Sequence, residues 1–190
     1  DRLTGINSGS TIRIGAMTTQ ADIIDNASLA SSAPILKEAS LQIADPQVRY
    51  MGTVGGNVAN GDPGNDMPGL MQCLDATFIL RGPNGEREVK ARDFYHAAYM
   101  TEREDDEVMV AVTFDAPKGG YAYEKQKRKI GDYATAAAAV IISKDGSKCK
   151  EASIAMTNLS DTPVFCSAAS DYLIGTSVSA EDIKNAVNSM

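Results

Sequence analysis

"GTVGGNVANGDPGND", residues 52–66, sets five glycines, three asparagines and two aspartates in fifteen positions. Apart from Val54, Val58 and Ala59, almost nothing in it can be buried. Either the backbone turns there in ways that only glycine allows, or a ligand lies directly against it. Glycines let amide N–H groups converge on an anion with no Cβ in the way, and Gly55-Gly56 permits close approach. Thr53 adds a hydroxyl donor and Asn57 a carboxamide donor. Asp62 and Asp66, acceptors only when ionised, suit sugar or ring donors rather than phosphate. The spacing is neither G-x-G-x-x-G nor the P-loop, which needs a Gly-Lys-Ser/Thr. On the residues alone, a long glycine-rich surface turn and a ligand cradle both stand.

Upstream, Ile12 and Ile14 alternate with polar residues as in a short strand, and Thr18 or Thr19 with Asp22 forms a helix-start signal. "APILKEASLQIA" has Ile35, Leu36, Ala39 and Ile43 at helical spacing, with Pro34 in its first turn and Asp45-Pro46 as its end. Downstream, Asp66 caps a short helix over "MPGLMQCLDA". "TFILRGPNGEREV" is a hairpin about a Pro-Asn-Gly turn, and residues 107–114 form a strand. The character changes at 116–120, where we place a boundary between segments 1–118 and 119–190. Beyond it, "YAYEKQKRK" alternates. "ATAAAAVIIS" reads as a strand despite its alanines, because a turn and a second strand, "EASIAMTNL", follow it. "VFCSAASDYLIG" and "SAEDIKNAV" read as helices, the second capped by Ser179.

The 190 residues are 43% hydrophobic and 23% charged, enough for a globular core. A net charge of −7 argues against a nucleic-acid partner. No apolar run approaches a membrane span. The first residues carry no initiator Met and read as the interior of a longer protein. Three widely spaced cysteines fit a reducing, cytoplasmic setting and buried apolar roles. One histidine, His96, rules out a His-rich zinc site, and we read it as a surface or half-buried helix residue.

The phrase "DPQVRYMGTVGGNVANGDPGNDMP" resembles the second flavin motif of the FAD-binding subunit of the molybdenum hydroxylase family. The resemblance continues through "IGAMTTQADI", "CLDATFILRGPNGER" and "YEKQKRKIGDYATAAAAV". Together with "IAMTNLSDTP", this last stretch looks most like the carbon monoxide dehydrogenase branch. It implies an α+β fold: an FAD-binding subdomain of the vanillyl-alcohol-oxidase type, then a small C-terminal domain with an antiparallel sheet and helices. The family's first flavin motif would precede this chain. By matching motif, Thr53, Val54, Gly55, Gly56 and Asn57 would hold the pyrophosphate and adjacent sugar of FAD, and Asp66 would accept hydrogen bonds from the flavin or its ribityl chain. The implied partners are a large molybdenum-cofactor subunit and a small subunit with two [2Fe-2S] clusters, in a dimer of heterotrimers. Electrons would pass from those clusters through FAD to an external acceptor.

In "GYAYEKQKRKIGDY", the period of two puts Tyr121, Tyr123, Lys125, Lys127 and Lys129 on one face. Lysines on an edge strand block sheet pairing. Alternatively, Tyr123 and Lys125 approach the flavin, where a cation near N1 raises the potential. Residues 101–107, "TEREDDE", read as a solvated acidic loop. Other readings are a flavin subunit acting on xanthine, aldehydes or N-heterocycles, a stand-alone flavin oxidoreductase, and an assembly module without flavin.

Overall fold

The computed structural model describes residues 3–190. The first segment builds one antiparallel sheet from β1 (Ile6–Ser8), β2 (Thr11–Gly15), β3 (Thr77–Gly82), β4 (Gly85–Lys90) and β7 (Val108–Asp115), in the order β1-β2-β7-β3-β4. Ile12, Ile14, Phe78, Leu80 and Val112 supply its core face, all fully buried. Phe94 meets Phe78 edge to face at 4.8 Å between centroids and Tyr95 at 5.1 Å. Such pairs add to simple area burial.

Six helices fill the interval between β2 and β3: α1 (Gln20–Asp25), α2 (Ala27–Ser32), α3 (Pro34–Leu41), α4 (Pro46–Met51), α5 (Val54–Ala59) and α6 (Asp66–Cys73). Five of the six starts have a local chemical cause. Thr19 and Asp22 form a capping box on α1, Asn26 caps α2, and Pro34 opens α3. Three expectations are corrected here. Asp45-Pro46 does not merely end α3: Asp45 accepts from the Val48 amide and starts α4. The glycine stretch is no open loop, since Thr53 caps α5. Asp66 is no cap either; it is the first residue of α6, and its side chain points elsewhere.

The second segment forms a sheet ordered β11-β10-β9-β8, from β8 (Gly120–Gln126), β9 (Ala136–Asp145), β10 (Lys148–Thr157) and β11 (Val164–Phe165). The alanine run is a strand, as expected. Small side chains suit it because α6 packs against β9 and β10. Helix α7 (Ser167–Leu173) packs on β10 and α8 (Ala180–Val187) packs on α7, with the Ser179–Asp182 capping box in place. "VFCSAASDYLIG" is helical only from Ser167, because Val164 and Phe165 pair with β10. His96 lies in a strand, β5 (Tyr95–Ala97), which pairs with β6 (Met100–Thr101). It is exposed, 2.8 Å from Glu102. The acidic loop is partly anchored, since Arg87 holds Glu107 and Glu102.

Helix α6 is the pivot of the molecule. All eight of its residues are buried, because α3 and α5 touch it on one side and β9 and β10 on another. Gly69 makes the close approach possible: a Cβ there would sit 2.2 Å from the hydroxyl oxygen of Thr157. Among the described residues no helix is long and apolar enough to cross a membrane, and no His/Cys/Asp/Glu cluster could hold a metal.

Candidate flavin site

Residues 52–57 are clamped to the start of α1. Gln20 N–H donates to the Gly52 carbonyl at 2.9 Å, Val54 N–H to Thr18 at 2.9 Å, and Gly55 N–H to Ala16 at 2.9 Å. Asn57 N–H returns to the Thr53 carbonyl at 3.0 Å, and Gly56 N–H to the Thr53 hydroxyl at 3.1 Å. A buried N–H seeks a partner, and these four amides find one inside the protein. Val54 and Gly55 are buried and seat the turn. A Cβ on Gly55 would lie 2.5 Å from that of Ala16, so this glycine serves helix-to-strand contact.

Thr53, Gly56 and Asn57 face outward. They border a cleft of about 300 Å³ shared with Asn60, Asn65 and Gln20, while Ile43 and Val48 give it an apolar wall. Tyr50 and Met51, on the preceding helix, are largely exposed. Asn65 and Asn57 are locked together: the Asn65 carboxamide donates to the Asn57 carbonyl at 2.9 Å, and Asn57 Oδ1 accepts from the Met67 amide at 3.3 Å. Among the described residues no lysine or arginine lines the cleft. Its chemistry is that of neutral hydroxyl and carboxamide groups, which match the hydroxyls and oxygens of a sugar–phosphate chain. A side chain at Gly56 would crowd the Thr53 hydroxyl at 3.0 Å. Any other residue at that position would partly fill the cleft.

Asp66, Tyr123 and Lys125 form a second, buried cluster. The Tyr123 hydroxyl donates to Asp66 Oδ1, and Lys125 Nζ lies 2.8 Å from Oδ2. The Lys125 and Asp66 side chains are only 1% and 6% exposed. Lys125 also donates to the Gln42 carbonyl at 3.1 Å, and Lys127 to the Gln42 side chain at 3.1 Å. Burial, then the Asp66 charge, pushes the Tyr123 phenol well above its ordinary pKa. This corrects the view of Lys125 as an edge-strand guard against pairing. Strand β8 is indeed an edge, but Lys125 turns inward to a carboxylate on the other segment. Lys129 lies beyond the end of β8 and shares no strand face with it. Asp62 stays apart from Asp66, accepting from Gly64 N–H at 2.9 Å and from the Tyr99 hydroxyl at 3.1 Å.

The structure thus groups Thr53, Gly56 and Asn57 at one cleft and Asp66, Tyr123 and Lys125 in another place. Gln20 escaped the sequence reading, which saw only the cap in "TTQAD". No local pattern marked it, since its neighbours at Gly52 and Ser40 are distant in sequence.

Comparison with known proteins places these features. Residues 2–117 match the family of the FAD binding domain in molybdopterin dehydrogenase, and residues 121–190 match the CO dehydrogenase flavoprotein C-terminal domain. The carbon monoxide dehydrogenase medium chain of Afipia carboxidovorans is 54% identical, over 94% of this chain and 63% of its own length. The corresponding chain of Hydrogenophaga pseudoflava is 44% identical, over 95% and 63%. A solved structure of CO dehydrogenase from Oligotropha carboxidovorans superposes with a TM-score of 0.97 at 53% identity, covering 99% of this chain and 67% of that one. The chain spans about 63% of the curated relatives it matches. It belongs to the family of FAD-binding domains in molybdopterin dehydrogenases, with the C-terminal domain of a CO dehydrogenase flavoprotein.

Proposed function

We propose that this chain is part of the FAD-binding medium subunit of a molybdenum hydroxylase that oxidises carbon monoxide. In this reading the oxidation occurs on a large molybdenum-cofactor subunit. A small iron–sulfur subunit delivers the electrons, and an external acceptor removes them, in a soluble cytoplasmic assembly. The observation that carries the reading is the 54% identity to a carbon monoxide dehydrogenase medium chain over 94% of this chain, far above the 33% shared with a glyceraldehyde dehydrogenase medium chain of Sulfolobus acidocaldarius.

Bound FAD supplies a redox centre able to exchange both single electrons and pairs. The residues here bind and orient it. The Thr53 hydroxyl and the Asn57 and Asn60 carboxamides offer neutral partners to its sugar–phosphate portion, and Ile43 and Val48 give the cleft an apolar side. Asp66, Tyr123 and Lys125 fix the second domain against α6. Lys125 is already paired, so its charge is largely spent on Asp66 rather than on the flavin. The test is the visible spectrum of the complete anaerobic complex. Flavin and iron–sulfur absorption should bleach on adding CO. Absorption that stays unchanged with CO but bleaches with a purine or an aldehyde would overturn the substrate assignment.

A further inference from the structure

Gln20 is the first residue of α1 and is only 2% exposed. The Ser40 hydroxyl, fully buried on α3, donates to its Oε1 at 3.0 Å. Among the described residues its Nε2 has no hydrogen-bond partner. A buried N–H without a partner is costly, and native proteins seldom tolerate one without a reason. Gln20 also lines the cleft that Thr53, Gly56 and Asn57 border.

We propose that Gln20 is a cofactor-binding residue whose Nε2 N–H completes its hydrogen bonding on an oxygen of the FAD sugar–phosphate chain. Ser40 is its positioning residue. By donating to Oε1 it holds the carboxamide in one orientation, with the N–H end left for the ligand. Among the described residues the cleft lining carries no cation, so correctly oriented neutral donors provide the polar recognition there. Loss of Ser40 would let the carboxamide rotate. The inference rests on the reading that the parent subunit binds FAD.

The experiment uses the complete medium subunit, stripped of flavin and titrated with FAD by fluorescence quenching. It compares wild type with Gln20→Met, Ser40→Ala and the double variant, and records the melting temperature of each flavin-free protein. Methionine keeps the length of glutamine while removing its donor. Gln20→Met should raise the Kd for FAD roughly tenfold, the worth of one good hydrogen bond to a charged or strongly polar oxygen. Ser40→Ala should raise it by less. The double variant should bind no worse than Gln20→Met alone, because Ser40 acts only through Gln20. The flavin-free double variant should melt close to wild type, since both polar partners leave together.

Wild-type affinity in Gln20→Met would overturn the proposal. Equal loss of FAD affinity and of flavin-free stability in the double variant would overturn it too, making the pair merely structural. A wild-type subunit that fails to bind FAD would instead overturn the functional reading beneath it.

Discussion

Replacing Asp66 with asparagine separates two accounts of this residue. The sequence motif makes it a flavin contact; the geometry makes it the anchor of a buried ion pair across two segments of the chain. Asp66→Asn leaves the Lys125 ammonium, 1% exposed, with no counter-charge and only neutral oxygens, the Gln42 carbonyl and the new carboxamide, to receive it. Breaking one side of a buried ion pair costs about 3–5 kcal/mol, because the remaining charge is left without compensation. For a chain of this size each kcal/mol shifts the melting temperature by about 2–4 °C, so a fall of roughly 6–20 °C is expected. The assay is thermal unfolding of the flavin-free complete subunit by circular dichroism. Asp66→Asn with Lys125→Met should recover most of the loss, since a neutral pair removes the stranded charge. A single variant that melts within about 2 °C of wild type yet binds FAD much more weakly would refute the anchor reading.

Gly55→Ala should destabilise the subunit by about 1–3 kcal/mol in denaturant unfolding, since the added methyl would lie 2.5 Å from the Ala16 side chain and 2.8 Å from its carbonyl. Burial pushes the Cys73 thiol up to about 12, so native protein at pH 8 should leave it unmodified by iodoacetamide, and unfolded protein should not. Glu107 is drawn down to about 2, first by its hydrogen bond from Arg87. A carboxylate lowered in the folded state stabilises above its unfolded pKa, about 4.5, and loses that contribution as pH falls through about 2. Glu107→Gln should therefore lower stability at pH 6, and the gap from wild type should close as the pH is taken from 4.5 toward 2 in equilibrium unfolding.

Strand alternation at Ile12 and Ile14, the Pro-Asn-Gly hairpin and the two capping boxes were legible because each depends on neighbours close in sequence. The alanine strand was legible only from its flanking turn, against local helix preference. The glycine stretch was harder. Its short helix is seated because Thr18 accepts from Val54 and Ala16 from Gly55, partners more than thirty residues away, which no local pattern reveals. The same holds for Lys125: alternation placed it on a face with Tyr123, but what that face meets is set by α6 and α3. The orphaned N–H of Gln20 depends on Ser40, twenty residues on, and no spacing in "MTTQAD" announces it.

The most direct test of the account is a structure of the complete subunit with FAD bound. The account predicts dinucleotide oxygens within hydrogen-bond reach of Thr53, Asn57 and Gln20 Nε2, with Asp66 still joined to Tyr123 and Lys125. A flavin that lies against Asp66, with Lys125 drawn away from it and the cleft at Gly56 empty, would contradict it.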